Sequence, residues 1–187
     1  MTKLLIADGT TEGHTRKIAE FIADIARRQG YEVVLMDSTA ATPGPGQDYD
    51  AAILAASVHE GKHQSAMTHF VKDNLSWLNR VPSVFLSVSL GVAAADPKSK
   101  AEAEVNLHHF LAETGWQPVR TRCVAGALRY TRYNYFKRLL MRLIAQHNKG
   151  DTDTSRDYEY TDWEDLRRFV SSFLDECVPV RQATVHG

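Results

Sequence analysis

Cysteine is scarce: Cys123 and Cys177 are the only two among 187 residues, and neither stands at a metal-ligand spacing from another cysteine or a histidine. A disulfide framework and a structural zinc site are thereby excluded, and reduced thiols in a cytosolic setting are expected. Neither sign of charge dominates. Lys and Arg total 22 against 23 Asp and Glu, a formal net charge of -1. That balance argues against a generally basic nucleic-acid binder and against a strongly acidic electron carrier. No apolar stretch approaches the about 20 residues of a membrane span. The opening MTKLLIADG reaches only four apolar residues before Asp8, fewer than the core of a signal peptide. A soluble cytoplasmic chain, attached at most to a membrane surface, is the expectation. Repeats and low-complexity tracts are also missing. With 43% hydrophobic and 24% charged residues, disordered and fibrous classes fall away. The length suits one compact domain with an elaboration.

What is present is an alternation of short apolar runs and amphipathic stretches. Residues 3–7 form an apolar run too brief for a helix, interrupted by Gly9. Between 14 and 29, Ile18, Phe21, Ile22, Ile25 and Ala26 mark one helical face, with Gly30 as its stop. Glu32–Asp37 reads as a β-branched strand, and 41–47, with two prolines and two glycines, as a loop. A second apolar run, 51–56, precedes a polar turn and a helix over about 64–78. Ser83–Ser89 is the next strand, 93–99 a loop, 100–114 a helix ending at Gly115, 119–125 the last clear strand, and 162–176 a closing helix. Trp163 is expected to anchor that helix in the core. Buried strands alternating with helices imply βαβ units and a five-stranded, doubly wound parallel sheet covered on both faces. Ligands in such sheets sit beyond the carboxyl ends of the strands, here the loops after Ala7, Ala56, Ser87 and Ala125.

The first of these loops reads Asp8-Gly9-Thr10-Thr11-Glu12-Gly13-His14-Thr15. It matches neither a Walker loop nor the dinucleotide fingerprint. It does offer three threonine hydroxyls and a run of amides at a helix N-terminus. Thr11, Gly13 and Thr15 would wrap a terminal phosphate, whose charge the helix dipole favours, and Gly13 permits close approach of the backbone. Glu12 would then serve through its amide with its carboxylate turned away, and His14 would be a solvated first-turn residue. The alternative is a loop whose threonine simply caps the helix.

Strand, Thr-x-x-Gly-x-Thr turn and helix at the start of such a chain resembles the FMN phosphate loop of the flavodoxin family. The resemblance implies strand order 2-1-3-4-5, FMN as cofactor, and Thr10 to Thr15 around its phosphate. It implies one wall of the ring pocket at Ser57, Val58, His59, Glu60 and Gly61. The other wall falls at Ser87, Val88, Ser89, Leu90, Gly91 and Val92, with the backbone amides of both loops tuning the ring. Ala125-Gly126-Ala127-Leu128-Arg129-Tyr130, Gly150-Asp151-Thr152-Asp153-Thr154 and Tyr160-Thr161-Asp162-Trp163-Glu164 resemble the quinone-dependent protoporphyrinogen IX dehydrogenases of bacterial haem biosynthesis. This similarity runs to about residue 175. It implies one domain over 1–176 with an insert at about 128–150, and a tail over 177–187. Protoporphyrinogen IX would be the substrate and a quinone, menaquinone or ubiquinone, the acceptor. That family has an Arg-Tyr pair where this chain has His59-Glu60, so the aromatic stacker is missing there. His59 and His63 are general-base candidates by position alone, and no catalytic residue is nominated.

Charge is segregated along the chain. Residues 120–149 hold eight Lys or Arg and no acid, whereas 151–165 hold seven acids and one Arg. Within the basic block, Tyr133, Phe136, Leu140, Leu143 and Ile144 fall on one helical arc, with Arg138 and Arg142 opposite and Lys137 at the edge. Such a helix suits the inner face of a membrane or a partner, although most amphipathic helices pack on their own sheet. Arg129, Tyr130, Arg132 and Tyr133 interleave cations with rings. That pattern suits single-stranded RNA or, the preferred reading, a tetrapyrrole with propionates; no nucleic acid is expected. Asp151-Thr152-Asp153-Thr154 lacks the remaining ligands of a calcium loop, and adjacent His108 and His109 make a poor metal pair. Self-association is left open. The competing functions are an electron carrier of the flavodoxin type, a general quinone reductase fed by NAD(P)H, and a flavin-free interaction module.

Overall fold

The computed structural model describes residues 1–10, 13–39, 49–128 and 158–178. Its elements begin β1 (Lys3–Gly9), α1 (His14–Arg28), β2 (Glu32–Asp37), β3 (Ala51–His59), β4 (Lys62–His63), α2 (Ser65–Asp73) and α3 (Leu75–Leu78). There follow β5 (Ser83–Ser89), a 3-10 turn (Leu90–Ala93), α4 (Pro97–Thr114), β6 (Arg120–Ala125), β7 (Ala127–Leu128), β8 (Tyr158–Glu159) and α5 (Trp163–Cys177).

Side-chain alternation along the strands sorts two cores. Leu4, Ile6, Ile53, Val84, Leu86 and Val124 face α1 and α5, meeting Ile18, Ile22, Leu166, Val170 and Phe173. Leu5, Leu54 and Phe85 face α2, α3 and α4, meeting Met67, Trp77, Leu107 and Phe110. Burial on both faces is what makes the central strands continuous apolar runs. Phe85 stacks on Phe110 with ring centroids 4.5 Å apart, and each such fully buried side chain contributes about 1.5–3 kcal/mol by area. The parallel strands lie in the order β2-β1-β3-β5-β6, the expected order with β5 and β6 as fourth and fifth.

Three expectations are corrected. The main sheet has six strands, not five, because β4 folds back antiparallel on β3, pairing Val58 with His63 and His59 with Lys62. Glu60 (φ 49°) and Gly61 (φ 78°) supply the two positive-φ residues of a tight hairpin turn. The helix expected over 64–78 is two, parted at Asn74, whose side-chain amide donates to the Phe70 carbonyl at 2.9 Å. And α4 starts at Pro97, inside the segment 93–99 expected to be loop. The Asp96 carboxylate accepts from the Ser99 amide and hydroxyl, both at 2.8 Å, and Pro97 is pre-set for the first turn. At the far end, Val178 is buried, and the Tyr31 hydroxyl reaches the Leu174 and Val178 carbonyls. No helix among the described residues is long and apolar enough to cross a membrane.

Candidate functional site

Strands β1, β3, β5 and β6 end on the same edge of the sheet. From β1 the chain passes Thr10, resumes at Gly13 in the left-handed region (φ 83°), and enters α1 with no side chain among the described residues capping its N-terminus. The Thr10 hydroxyl instead accepts from the Gly13 amide at 2.9 Å. A helix leaves its first amides without intrahelical acceptors, so the backbone of the first turn of α1 presents donors and positive potential to the edge. By contrast, α4 and α5 are capped by the carboxylates of Asp96 and Asp162. Thr15 is buried. Thr11 and Glu12 lie outside the described residues.

The second loop is built differently from the expectation. Ser57, Val58 and His59 continue β3 and are half-buried, and only Glu60 and Gly61 turn. The Ser57 hydroxyl lies between the Gly9 carbonyl and the Gln64 amide, each at 3.4 Å, so the first two loops are tied together. In the third loop, Ser87, Val88 and Leu90 are buried, and Val88 packs in the α1–α5 core. Their side chains hold the loop down, while Ser89, Gly91 and Val92 stay partly accessible at the edge. Ser89 Oγ is buried with no hydrogen-bond partner among the described residues. A Cβ on Gly91 would stand 2.9 Å from the Ser99 carbonyl oxygen, which fixes this turn against the first turn of α4. Gly126, at the end of β6, donates its amide to the Ser89 carbonyl.

His14 is not solvated. It is buried, with Nε2 2.8 Å from Thr161 Oγ1. The Thr161 hydroxyl donates to the Ala125 carbonyl at 2.6 Å, so its oxygen accepts from His14 and places the ring proton on Nε2. The segment from β8 into α5 is thereby pinned on the first turn of α1. Glu159 adds to the clamp, accepting from Lys17 Nζ and from Trp163 Nε1 at 2.6 Å each. The Lys17 ammonium, followed by Trp163, holds the Glu159 carboxyl below its usual range. Trp163 is half-buried, at the rim of the core and edge-on to Phe21, rather than inside it. Its indole is held by Glu159 instead.

Two polar groups near the edge are set differently from the sequence reading, which gave Asp8 no role and offered His63 as a general-base candidate by position. Asp8 is fully buried at the end of β1, where Arg16 Nη1 reaches its Oδ1 at 2.9 Å and Oδ2 has no partner among the described residues. Burial pushes its pKa up, against the pull of Arg16. A charged residue closing an apolar strand was the available signal. His63 lies under α4, with Nε2 2.9 Å from the buried Ser87 hydroxyl and its ring against Phe85 and Phe110. Burial lowers its pKa to about 4, which leaves it a poor proton acceptor at neutral pH. Cys123, beside Ser87 on β6, is pushed up to about 12 by burial and then by Glu104, so its thiol is inert. Among the described residues no cluster could hold a metal ion. Arg129, Tyr130, Arg132, Tyr133, Phe136, Lys137, Arg138 and Arg142 lie outside the described residues, so the basic stretch is known by its sequence alone.

A parallel sheet in this order, with its loops gathered at one edge, defines a flavodoxin-like α/β protein. The model of the flavodoxin domain family matches residues 5–155. Flavodoxin 1 of Bacillus cereus, in its oxidised crystal structure, superposes with a TM-score of 0.58 at 19% identity, covering 94% of this chain and 99% of that one. An archaeal flavodoxin gives 0.51 at 14% identity, covering 94% and 98%. Both likenesses concern the fold. The protoporphyrinogen IX dehydrogenase (quinone) of Escherichia coli K12 is 35% identical over 168 residues, 90% of this chain and 92% of that protein. One of the same name from Leishmania major is 36% identical over 182 residues, 96% of this chain and 78% of that protein. The chain belongs to the flavodoxin domain family and, within it, to the group of the quinone protoporphyrinogen IX dehydrogenases.

Proposed function

We propose that the protein oxidises protoporphyrinogen IX to protoporphyrin IX with FMN as cofactor and a respiratory quinone as acceptor, in haem biosynthesis. The observation that carries the reaction is the 35% identity to the Escherichia coli dehydrogenase over 90% of this chain.

The edge of the sheet fits such a nucleotide on three counts. The N-terminus of α1, which no side chain among the described residues caps, follows β1 after residues 10–13, a setting that favours a phosphate dianion. Gly13 takes a left-handed conformation that lets the turn close around it. The buried Ser89 hydroxyl, without a partner among the described residues, offers a polar atom to the heteroatoms of a ring beside it. Thr10, Thr11, Gly13, His14 and Thr15 would hold the phosphate through amides and hydroxyls, with the amide of Glu12 assisting. Residues 57–61 and 87–92 would flank the ring. When bound, FMN supplies the two-electron chemistry that side chains lack, and three rounds account for the about six electrons separating the two tetrapyrroles.

The chain's own part is positional. Val88 and Leu90, buried below the third loop, keep the 89–92 backbone from following the ring outward. His14, donating from Nε2 to Thr161, keeps the phosphate turn joined to the segment that follows the insert. His63 stays uncharged at neutral pH and adds no positive charge beside the second loop, where it pairs with Val58. The basic stretch 133–147 would rest on the inner membrane face, where a quinone dissolves.

The purified protein is expected to be yellow and to release FMN on denaturation. Anaerobic protoporphyrinogen IX should bleach that colour, and NADPH should not. A colourless protein that takes up no FMN overturns the cofactor. Bleaching by NADPH but not by the porphyrinogen overturns the substrate.

A further inference from the structure

On the sheet face away from α1, between α2 and α4 and behind the β3–β4 hairpin, lies an open cleft of about 400 Å³. That volume is in the range of small-molecule sites. Its charge is uneven. Lys62 comes from β4, His69 and Lys72 from α2, and His109 and Glu113 from α4. Among the described residues Glu113 is the one acid in this lining, and it is taken up by Lys72 at 3.2 Å. Lys62 and the two histidines are left facing the cleft without an acid of its lining to match them. The floor is aromatic: the His63 and Phe110 rings stand 4.8 Å apart. A rim of cationic and imidazole donors over an apolar floor suits a short carboxylate tail on a flat ring.

Position links this cleft to the edge already described. The hairpin that walls it, 58–63, carries Val58 and His59 of the second loop on its other arm and Glu60 and Gly61 at its turn. Its tip reaches α4, since a Cβ on Gly61 would lie 3.7 Å from Asn106 Oδ1. A ligand anchored by a tail in the cleft would therefore lie across the hairpin turn, with its ring towards the sheet edge.

We propose that this cleft receives a propionate tail of the tetrapyrrole, with Lys62 and His109 as its charged and hydrogen-bonding partners. The inference rests on the substrate reading above and adds to it the residues that recognise the carboxylate. The site selects for the ionised tail and is indifferent to the macrocycle's oxidation state.

The test uses equilibrium binding to the FMN-loaded protein, followed by quenching of protein fluorescence, with protoporphyrin IX and its dimethyl ester as probes. The double variant Lys62→Glu/His109→Glu should weaken binding of the free acid at least about tenfold and change that of the ester less than about twofold, because only the acid carries charge to be repelled. Both residues are on the surface, and retained FMN shows that the variant is folded. Loss of both ligands alike, or of neither, overturns the cleft assignment. Turnover of the porphyrinogen is measured in parallel. If turnover is robust and the free acid binds the variant as it binds the parent, the cleft assignment alone fails. If no turnover occurs but the acid binds through Lys62 and His109, the proposed reaction alone fails.

Discussion

Burial holds the His63 imidazole at a pKa of about 4, against its ordinary 6.5. The cause lies in its surroundings, since its ring is wedged against Phe85 and Phe110 while Nε2 is engaged with Ser87. A depressed histidine pKa means that the unfolded chain takes the proton first. The contribution is intact above about 6.5, drains as pH falls through the interval, and is spent below about 4. At pH 5 the loss attributable to this residue comes to about 2 kcal/mol. His63→Phe keeps an aromatic ring on the same floor and removes the titration. Urea unfolding at pH 7 and pH 5 should therefore show the parent losing about 2 kcal/mol more than the variant between the two. Equal losses would show that the imidazole is not held neutral by burial. The same residue illustrates what a sequence conceals. His63 follows a polar turn and suggests an exposed base, and nothing in its neighbours announces Phe110, which lies on a distant helix. Asp8 is the converse, a charge at the end of an apolar strand whose partner Arg16 is on the next helix, close enough in sequence to have been suspected.

At the scale of elements, the β3–β4 hairpin is the departure with the most consequences. It turns on Glu60 at φ 49°, a left-handed conformation that costs a non-glycine residue roughly 1 kcal/mol and that asparagine tolerates. Glu60→Asn should therefore raise stability by up to about 1 kcal/mol, read as a higher urea midpoint at unchanged slope. A fall in midpoint would mean that the Glu60 side chain contributes more than its backbone costs. The parallel strands, by contrast, were legible, because burial on both faces leaves unbroken apolar runs such as Ala51 to Ala56. Helix α1 was legible from its stripe and from Gly30. The hairpin was not, because two residues of β4 carry no periodicity and Glu-Gly is not a favoured turn pair. The start of α4 was not legible from periodicity, because its first residues, Pro97, Lys98 and Ser99, add nothing to an apolar stripe, although Asp96-Pro97 is a helix-opening signal. The break between β1 and α1 at Gly13 was legible as well. Burial of Val88 and Leu90 beneath the third loop was not, since resemblance places a loop without saying which side chains face inward.

For the whole molecule the deciding quantity is how charge is distributed along the chain. The net charge of -1 hides eight Lys or Arg over 120–149 beside seven acids over 151–165. Two of those arginines are consumed inside the fold: Arg120 pairs with Glu176, and Arg122 with Asp165, both on α5. The other six basic residues of that stretch, at 129, 132, 137, 138, 142 and 149, lie outside the described residues, and their charge is known from the sequence. Each lysine or arginine near an anionic leaflet contributes about 1 kcal/mol, and salt screens it. Arg138→Glu/Arg142→Glu should therefore reduce cosedimentation with vesicles containing phosphatidylglycerol at least about tenfold at low salt. Arg120→Gln, which removes a charge already held by α5, should leave it within about twofold. Binding by the parent should itself fall as salt is raised. If the double variant sediments with vesicles as the parent does, the basic stretch does not face lipid, and the quinone must reach the sheet edge by another route.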